Sequence, residues 1–517
     1  MSSKRHPRSF AICRIALAFA THVALICLPA DAADVINNHE LVKRYEIAAG
    51  ALNSVLTSFA QESGIAISFS SEQVENLKSG GLIGNYSLTN GFAQVLKGSG
   101  LRAQASEDGY VLVSASGTLE LGATNITGQA LGAVTEGTGS YTTGEVTIGK
   151  TAQTLRHTPQ SVSVLSQQQL ADQNVTDLTT ALAQAPGIVV DYTDSERVDY
   201  YSRGFAIDAI QYDGATVVQN SGGGSYIQSD TAVIDHMEVL RGATGMLRGA
   251  GNPSGTVNIV RKRPTYEHHA SGSYTAGSWD HQRFVADVSG PISSDGAVRG
   301  RVIAVHDDKD SFQDSRMERK NVLYAVLAAD LNDRTTLTGG IEYTHLDATG
   351  SWGGLPADFD GSPLKFSRST YLGTSWSRWN RSNLQSFGEL QYAFDNDWKV
   401  KMTATHTDFD LDNKGFKQVF NSRASTTNPY LMNVQVTEGD GGGSDQSSYS
   451  LAADGPFSFM GRDQQLLVGM ERVDNSSYAL ARGSIRNYVR GIDVRNWNSK
   501  TSVSEPNVSI TYASGHH

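Results

Sequence analysis

The chain has 517 residues, a formal net charge of −11 and two cysteines, Cys13 and Cys27, both within residues 1–32. Lys4, Arg5, Arg8 and Arg14 share that stretch with Asp31 alone, so the remainder is more acidic still, which argues against nucleic acid as a partner. Without cysteine the remainder can build no disulfide framework, thiolate metal site or cysteine nucleophile.

Residues 1–32 open on a basic start, continue through an apolar run from Ile15 to Leu28, and end on the small residues around Ala30-Asp31-Ala32. That pattern predicts a signal peptide; a membrane anchor is the other reading, but the run is short and wrongly flanked for one. An exported chain without cysteine fits a Gram-negative envelope.

Residues 41–115 read as a small βαβ module. Leu52, Val55, Leu56, Phe59 and Ala60 recur at helical spacing and form one apolar face. Ile65, Ile67 and Phe69 alternate as a strand should. Thr89 or Asn90 is placed to cap a second helix carrying Phe92, Val95 and Leu96, stopped near Gly98. Glu107-Asp108-Gly109 then turns the chain into a strand over Tyr110–Val113.

Residues 116–150 are rich in Gly, Thr, Ser and Ala and predict a linker. Their one apolar patch, Leu119-Glu120-Leu121-Gly122-Ala123-Thr124-Asn125-Ile126, reads either as ordinary linker or as a strand able to join a partner's sheet edge.

Residues 151–264 read as an α+β domain. Helices are expected over Gln167–Asp172 and Val175–Gln184, ending at Pro186-Gly187, with strands around Val189, Ile210 and Val257–Val260. Gly242, Gly245, Gly249, Gly251 and Gly255 crowd one stretch, but no Gly-Lys-Ser/Thr follows, so a phosphate-cradling loop is not indicated.

Residues 265–517 show period-two alternation. Leu337, Ile341 and Tyr343 alternate with Thr336, Thr338, Glu342 and Thr344; Leu390, Tyr392 and Phe394 with Glu389 and Gln391. Trp398, Val400, Met402 and Ala404 alternate with Lys399, Lys401, Thr403 and Thr405; Val508, Ile510 and Tyr512 with Asn507, Ser509 and Thr511. Apolar and polar sets on opposite faces suit a transmembrane antiparallel barrel. Short turns at Asn332-Asp333 and Asp395-Asn396-Asp397 alternate with long polar connections, from about Asp347 to Asn383 and from about Asp408 to Gln446. A soluble β-sandwich explains the alternation but not the alternating loop lengths. Roughly ten strands are expected. A barrel of that size has a lumen filled by its own side chains and no room for the preceding domain, so the chain is expected to be cut short within an incomplete barrel. The fold expected is therefore mainly β, a partial barrel with an α+β domain and a small βαβ module before it.

These residues resemble a known family. Residues 41–115 are similar to the short N-terminal signalling domain shared by secretins and TonB-dependent transducers. Thr158-Pro159-Gln160-Ser161-Val162, Gly204-Phe205, Tyr212-Asp213-Gly214 and the run from Glu238-Val239-Leu240-Arg241-Gly242 through Gly251-Asn252-Pro253-Ser254-Gly255-Thr256-Val257-Asn258 resemble the plug of TonB-dependent siderophore receptors. Leu119–Ile126 sits where that family carries its TonB box. Ser351-Trp352-Gly353-Gly354-Leu355-Pro356 and Arg368-Ser369-Thr370, with Trp376 and Trp379, look closest to ferripyoverdine and other hydroxamate-type receptors.

The resemblance implies an outer-membrane receptor that binds a ferric siderophore from outside, is pulled by TonB at residues 119–126, and reports to an anti-sigma regulator through its periplasmic N-terminal domain. Iron is then cargo held by the siderophore; no cofactor and no protein metal set is expected, since His268 and His269 are adjacent and point to opposite faces. Aromatic faces plus a few polar groups suit a large chelate. Tyr226, beside Gly222-Gly223-Gly224, and Trp352, Trp376 and Trp379 are ligand candidates, with Tyr201 and Arg203 beside them. The alternative for the aromatics is the barrel's interfacial girdle. Glu238, Arg241 and Arg248 are expected to brace plug against barrel by ion pairs. A passive pore or secretin-like channel, a non-functional truncated receptor and an exported hydrolase stand as other readings. The last lacks a nucleophile elbow, because Ser254 lies one place late in Gly251-Asn252-Pro253-Ser254-Gly255, so no enzyme is expected.

Overall fold

A computed structural model describes residues 43–69, 71–74, 77–106, 109–114, 133–158, 160–218, 229–242 and 251–511. The chain divides into two compact units, Met1–Ile126 and Thr127–His517. Residues 119–126, Tyr226, Gly222–Gly224 and Arg248 lie outside the described residues.

In the first unit the expected apolar face forms a helix, Leu52–Ser63, burying Leu52, Val55, Leu56 and Phe59. It ends at Gly64, whose φ of 74° is left-handed and whose N–H closes onto the Ala60 carbonyl. The second helix spans Leu88–Val95. Its cap is Ser87, whose hydroxyl accepts from the Asn90 N–H, rather than Thr89 or Asn90; the capping geometry needs the side chain three residues before the amide it satisfies. Around Ile67 only Ile67–Ser68 is laddered, parallel to Gly109–Ser114, although Ile65, Ile67 and Phe69 all pack against the core. Phe59 lies edge-on to Phe92 at 5.1 Å, and Phe92 contacts Tyr110 at 4.8 Å, so aromatic packing joins the helices to the sheet.

The second unit begins with a five-stranded mixed sheet ordered Ser161–Ser166, Ile234–Arg241, Gly255–Arg261, Ala209–Tyr212, Ala215–Val218. A helix spans Gln167–Asp172, as expected. The next begins at Leu178 rather than Val175, because Asp177 accepts from the Thr180 N–H and fixes the start. Every residue of Ile234–Leu240 is buried, so this strand packs on both faces. Its core is continuous with Ile303, Val305, Val322, Tyr324 and Val326 of the wall described next.

That wall is an antiparallel sheet of eleven strands: β1 (His269–Ala276), β2 (Gln282–Pro291), β3 (Val298–Asp310), β4 (Met317–Asn332), β5 (Thr335–Ala348), β6 (Arg378–Ala393), β7 (Lys399–Arg423), β8 (Leu431–Asp440), β9 (Gly443–Phe459), β10 (Arg462–Tyr478) and β11 (Ala481–Asp493). Val302, Leu327 and Met402 on its outer face are at least half exposed, while Arg283, Arg301, Lys320, Gln385 and Glu389 are buried against the domain it wraps. Apolar outside and charged inside is the barrel arrangement, the reverse of a soluble sandwich. Among the described residues β1 pairs only with β2 and β10 only with β9. No described helix is long and apolar enough to cross a membrane, which says nothing of strands.

Two expectations fail here. The polar stretch from Asp408 to Gln446 is not a loop. β7 runs on to Arg423 and branches the sheet: Lys399–Asp410 pair with β9, Phe416–Arg423 with β8. Nor do Val508 and Ile510 lie in a strand; only Thr511 bridges Arg482 before the described residues end. Pro506 has no N–H to give a ladder, and the segment instead packs by its side chains, with Val503 and Val508 against Val419, Val434 and Val436.

Candidate functional site

The domain inside the wall is held by ion pairs that no short-range pattern announces. Asp230 is fully buried and accepts from Arg283 at 2.6 and 2.9 Å and from Lys320 at 2.8 Å. Burial pushes its carboxyl pKa up, but Lys320 and Arg283 outweigh this and hold it well below the usual carboxylate range. Arg261 stacks 3.9 Å over the Phe387 ring of β6 and donates to Gln385 at 2.5 Å. Glu136 meets Arg301 at 2.6 Å, and Lys150 meets Glu471 at 2.9 Å. The seam thus exists, but Glu238 and Arg241 are not part of it. Arg241 donates to the Pro186 carbonyl and to Ser161 and Ser163, and Glu238 faces His236, Thr147 and Asn258. Both sit on a central strand of the inner sheet, so they reach their own neighbours before the wall.

That second cluster clasps residues 133–150 to the sheet. Asp235 accepts from the Thr135 and Glu136 N–H groups at 2.9 and 2.8 Å, and Glu238 accepts from Thr147 N–H at 2.6 Å. His236 lies wholly buried between the two carboxylates, at 2.5 Å from Asp235 and 3.1 Å from Glu238. Burial works to lower the imidazole pKa; Asp235 and Glu238 overcome it and raise the value to about 9. The sign follows: the clasp's charge contribution is complete below the ordinary 6.5 and is lost as pH rises through about 9. We expect urea unfolding of the wild type to weaken progressively over that window, and His236→Gln to flatten it. An unchanged pH slope in the variant would show that the imidazole is neutral in the fold.

The region where the wall meets the turn Thr193–Arg197 of this domain is termed the vestibule. The turn Thr193–Arg197 reaches it: Glu196 pairs with Arg381 at 2.9 Å, Ser195 Oγ accepts from the Ser351 N–H at 2.6 Å, and Arg197 lies 5.5 Å over the Trp379 ring. Trp379 is 1% exposed and packs edge-on to Phe416 at 4.9 Å, so it is part of the wall and offers no face to a ligand. Trp376 lies on the other face, donating from Nε1 to the Val503 carbonyl and packing on Val419, Val434 and Val436. Trp352 is half-buried and shares the Trp379 side, 5.6 Å from Phe416 and 5.7 Å from Phe420, whose ring is 42% exposed. Trp352 and Phe420 are therefore the aromatic pair that keeps exposed surface on this side.

Tyr201 is half-buried on the strand Val198–Ser202. Arg203 is exposed in a tight turn with Gly204, both at positive φ, and its guanidinium covers Gly242, where a Cβ would meet Nη1 at 2.6 Å. The glycine there is required by its own φ of 107°, which a side chain would strain, and Arg203 lies apart from the aromatic pair. Glu196, Arg381 and Phe420 were not singled out by sequence; the polar turn Asp194-Ser195-Glu196-Arg197 is a local signal for Glu196 alone. His345, Asp347 and Asp412 bring ligand-type atoms within 4.8 Å of one another on β5 and β7, a grouping absent from the sequence reading.

Comparisons with known proteins agree with this layout. Residues 154–256 match the TonB-dependent receptor plug domain and residues 65–116 the secretin and TonB N terminus short domain. The ferric-pyoverdine M114 receptor of Pseudomonas sp. (strain M114) is 36% identical over 428 residues, covering 81% of this chain and 51% of the relative. The ferripyoverdine receptor of Pseudomonas aeruginosa is 34% identical over 455 residues, covering 86% and 55%. A crystal structure of the ferripyoverdine receptor of the Pseudomonas aeruginosa outer membrane bound to ferripyoverdine superposes with a TM-score of 0.65 at 29% identity, over 91% of this chain and 61% of that one. The chain thus spans about half the length of the curated relatives it matches. With a plug held by buried ion pairs inside a wall of alternating strands, and the short N-terminal domain ahead of it, the chain belongs to the TonB-dependent receptor family.

Proposed function

We propose that this chain is the signalling, plug and first-wall portion of an outer-membrane receptor that takes up a ferric siderophore of pyoverdine or hydroxamate type. The observation that carries the reading is the vestibule: Trp352 and Phe420 stand open beside a plug turn tied to the wall through Glu196 and Arg381. Aromatic faces suit the flat, partly apolar surface of a chelated ligand, and the tied turn gives binding a route into the plug. Tyr226 and the glycines before it belong to the same reading as ligand contacts, and residues 119–126 as the strand that TonB pairs with and pulls. The N-terminal domain would report occupancy to an anti-sigma regulator. Iron is cargo in this scheme, with its coordination shell supplied by the siderophore; the protein acts as transporter, not enzyme.

Detergent-solubilised protein titrated with ferripyoverdine and with a ferric trihydroxamate should lose tryptophan fluorescence on binding one of them. Trp352→Ala should weaken that affinity by about tenfold, roughly 1.4 kcal/mol, whereas Trp376→Ala should leave it unchanged. A wild-type protein that responds to neither chelate would sink the proposal.

A further inference from the structure

The face that Trp379 turns toward the plug can be followed strand by strand. Trp379 on β6 opposes Phe416 on β7. Phe416, Gln418 and Phe420 oppose Gly439, Thr437 and Gln435 on β8. Gly439 and Thr437 oppose Arg482 and Ser484 on β11, and the Thr437 and Ser484 hydroxyls meet at 2.9 Å. Directly opposed residues share a face, so Arg482 and Ser484 look the same way as Phe420; Arg486 follows them where β11 bulges, between Ile485 opposite Val436 and Val489 opposite Val434. Both arginines are exposed, and neither has a carboxylate partner among the described residues. The contrast with their surroundings is sharp. On the opposite face Glu438 and Glu505 neutralise Arg378 and Lys417. At the plug turn Glu196 is taken by Arg381 and Asp194 by Arg197. A chain with a net charge of −11 leaves two guanidinium groups unpaired beside its open aromatic pair.

We propose that the vestibule selects a ferric chelate carrying a carboxylate and a net negative charge. Arg482 and Arg486 take the carboxylate, and Trp352 and Phe420 take the flat face. Two interstrand spacings separate β7 from β11, about 10 Å, a span that one chelate bridges. The guanidinium fork binds carboxylates with two parallel hydrogen bonds, and an exposed, unpaired cation attracts anions from solution. The inference rests on the receptor reading above and assigns its specificity to two residues that the aromatic pair does not include.

The test uses ferrioxamine B, a ferric trihydroxamate with a free ammonium group, and its N-succinyl derivative, which has the same iron core and a carboxylate instead. Fluorescence titration of the solubilised chain should show the succinyl form binding about tenfold more tightly at low salt. That margin should shrink at about 0.5 M salt. Arg482→Gln with Arg486→Gln should equalise the two, while the paired lysine substitutions keep the preference. Equal wild-type affinity for both forms overturns the inference and leaves the receptor reading standing, as does a preference that survives the glutamine pair. Binding of neither form, or of any other ferric chelate, removes both.

Discussion

Asp230→Asn should loosen the plug from its wall. The carboxylate is fully buried and is the shared partner of Arg283 and Lys320, cations from two different wall strands. The amide keeps the size and can still accept from the Ala232 N–H, which Asp230 Oδ1 now does at 2.9 Å. It cannot neutralise two buried cations, and breaking a buried pair from one side costs about 3–5 kcal/mol. Urea unfolding of the solubilised protein should show a loss of that size, together with faster proteolysis within residues 151–264. The pH dependence gives an independent check. Because the carboxyl titrates well below its ordinary 3.8 in the fold, its contribution is complete above that value and fades as pH falls further. The deficit of the variant should therefore be constant from about pH 5 to 8 and shrink only in strong acid. Unchanged unfolding at neutral pH would mean that the plug is held by its apolar contacts alone.

Removing residues 119–126 should abolish iron uptake while sparing binding. The proposal gives those residues a single task, to be grasped and pulled, and the downstream chain enters the plug at Thr135 and Glu136. There the first restraints among the described residues are the Asp235 carboxylate and the Glu136–Arg301 pair. The vestibule contacts come from residues 193–197, 351–381 and 416–420, so chelate affinity in the fluorescence titration should stay within about twofold, or roughly 0.4 kcal/mol. Uptake of labelled ferric chelate by cells relying on the receptor should fall to the level of cells without it. Uptake that persists would take the coupling role away from these residues, and lost affinity would move them into the binding site.

Much of the architecture was legible because period two survives locally. Thr338 and Glu342 against Ile341 and Tyr343 announced which side of β5 faces in, and the structure agrees. The helix over Gln167–Asp172 was legible as well, and its start is fixed by Ser166 directly before it, whose hydroxyl accepts from the Gln169 N–H. The upper half of β7 was not, because above the lipid both faces of a strand can be polar and the alternation that marks a strand disappears. The seam was hidden for a different reason. Asp230 finds Arg283 across fifty-three residues, and such a pairing is decided by how the sheet wraps, not by neighbours in sequence. Trp379 and Trp352 carry the same chemistry in sequence; only the fold shows that one is walled in and the other open.

The branching of β7 leaves the rim uneven. Its 25 residues extend to about 80 Å at some 3.3 Å each, whereas a lipid-facing apolar band is only about 25 Å tall. The excess, with β8 and β11 beside it, makes a parapet on one side of the mouth. Substitutions in this extension lie beyond the apolar band, so they should leave the belt's grip on the bilayer unchanged.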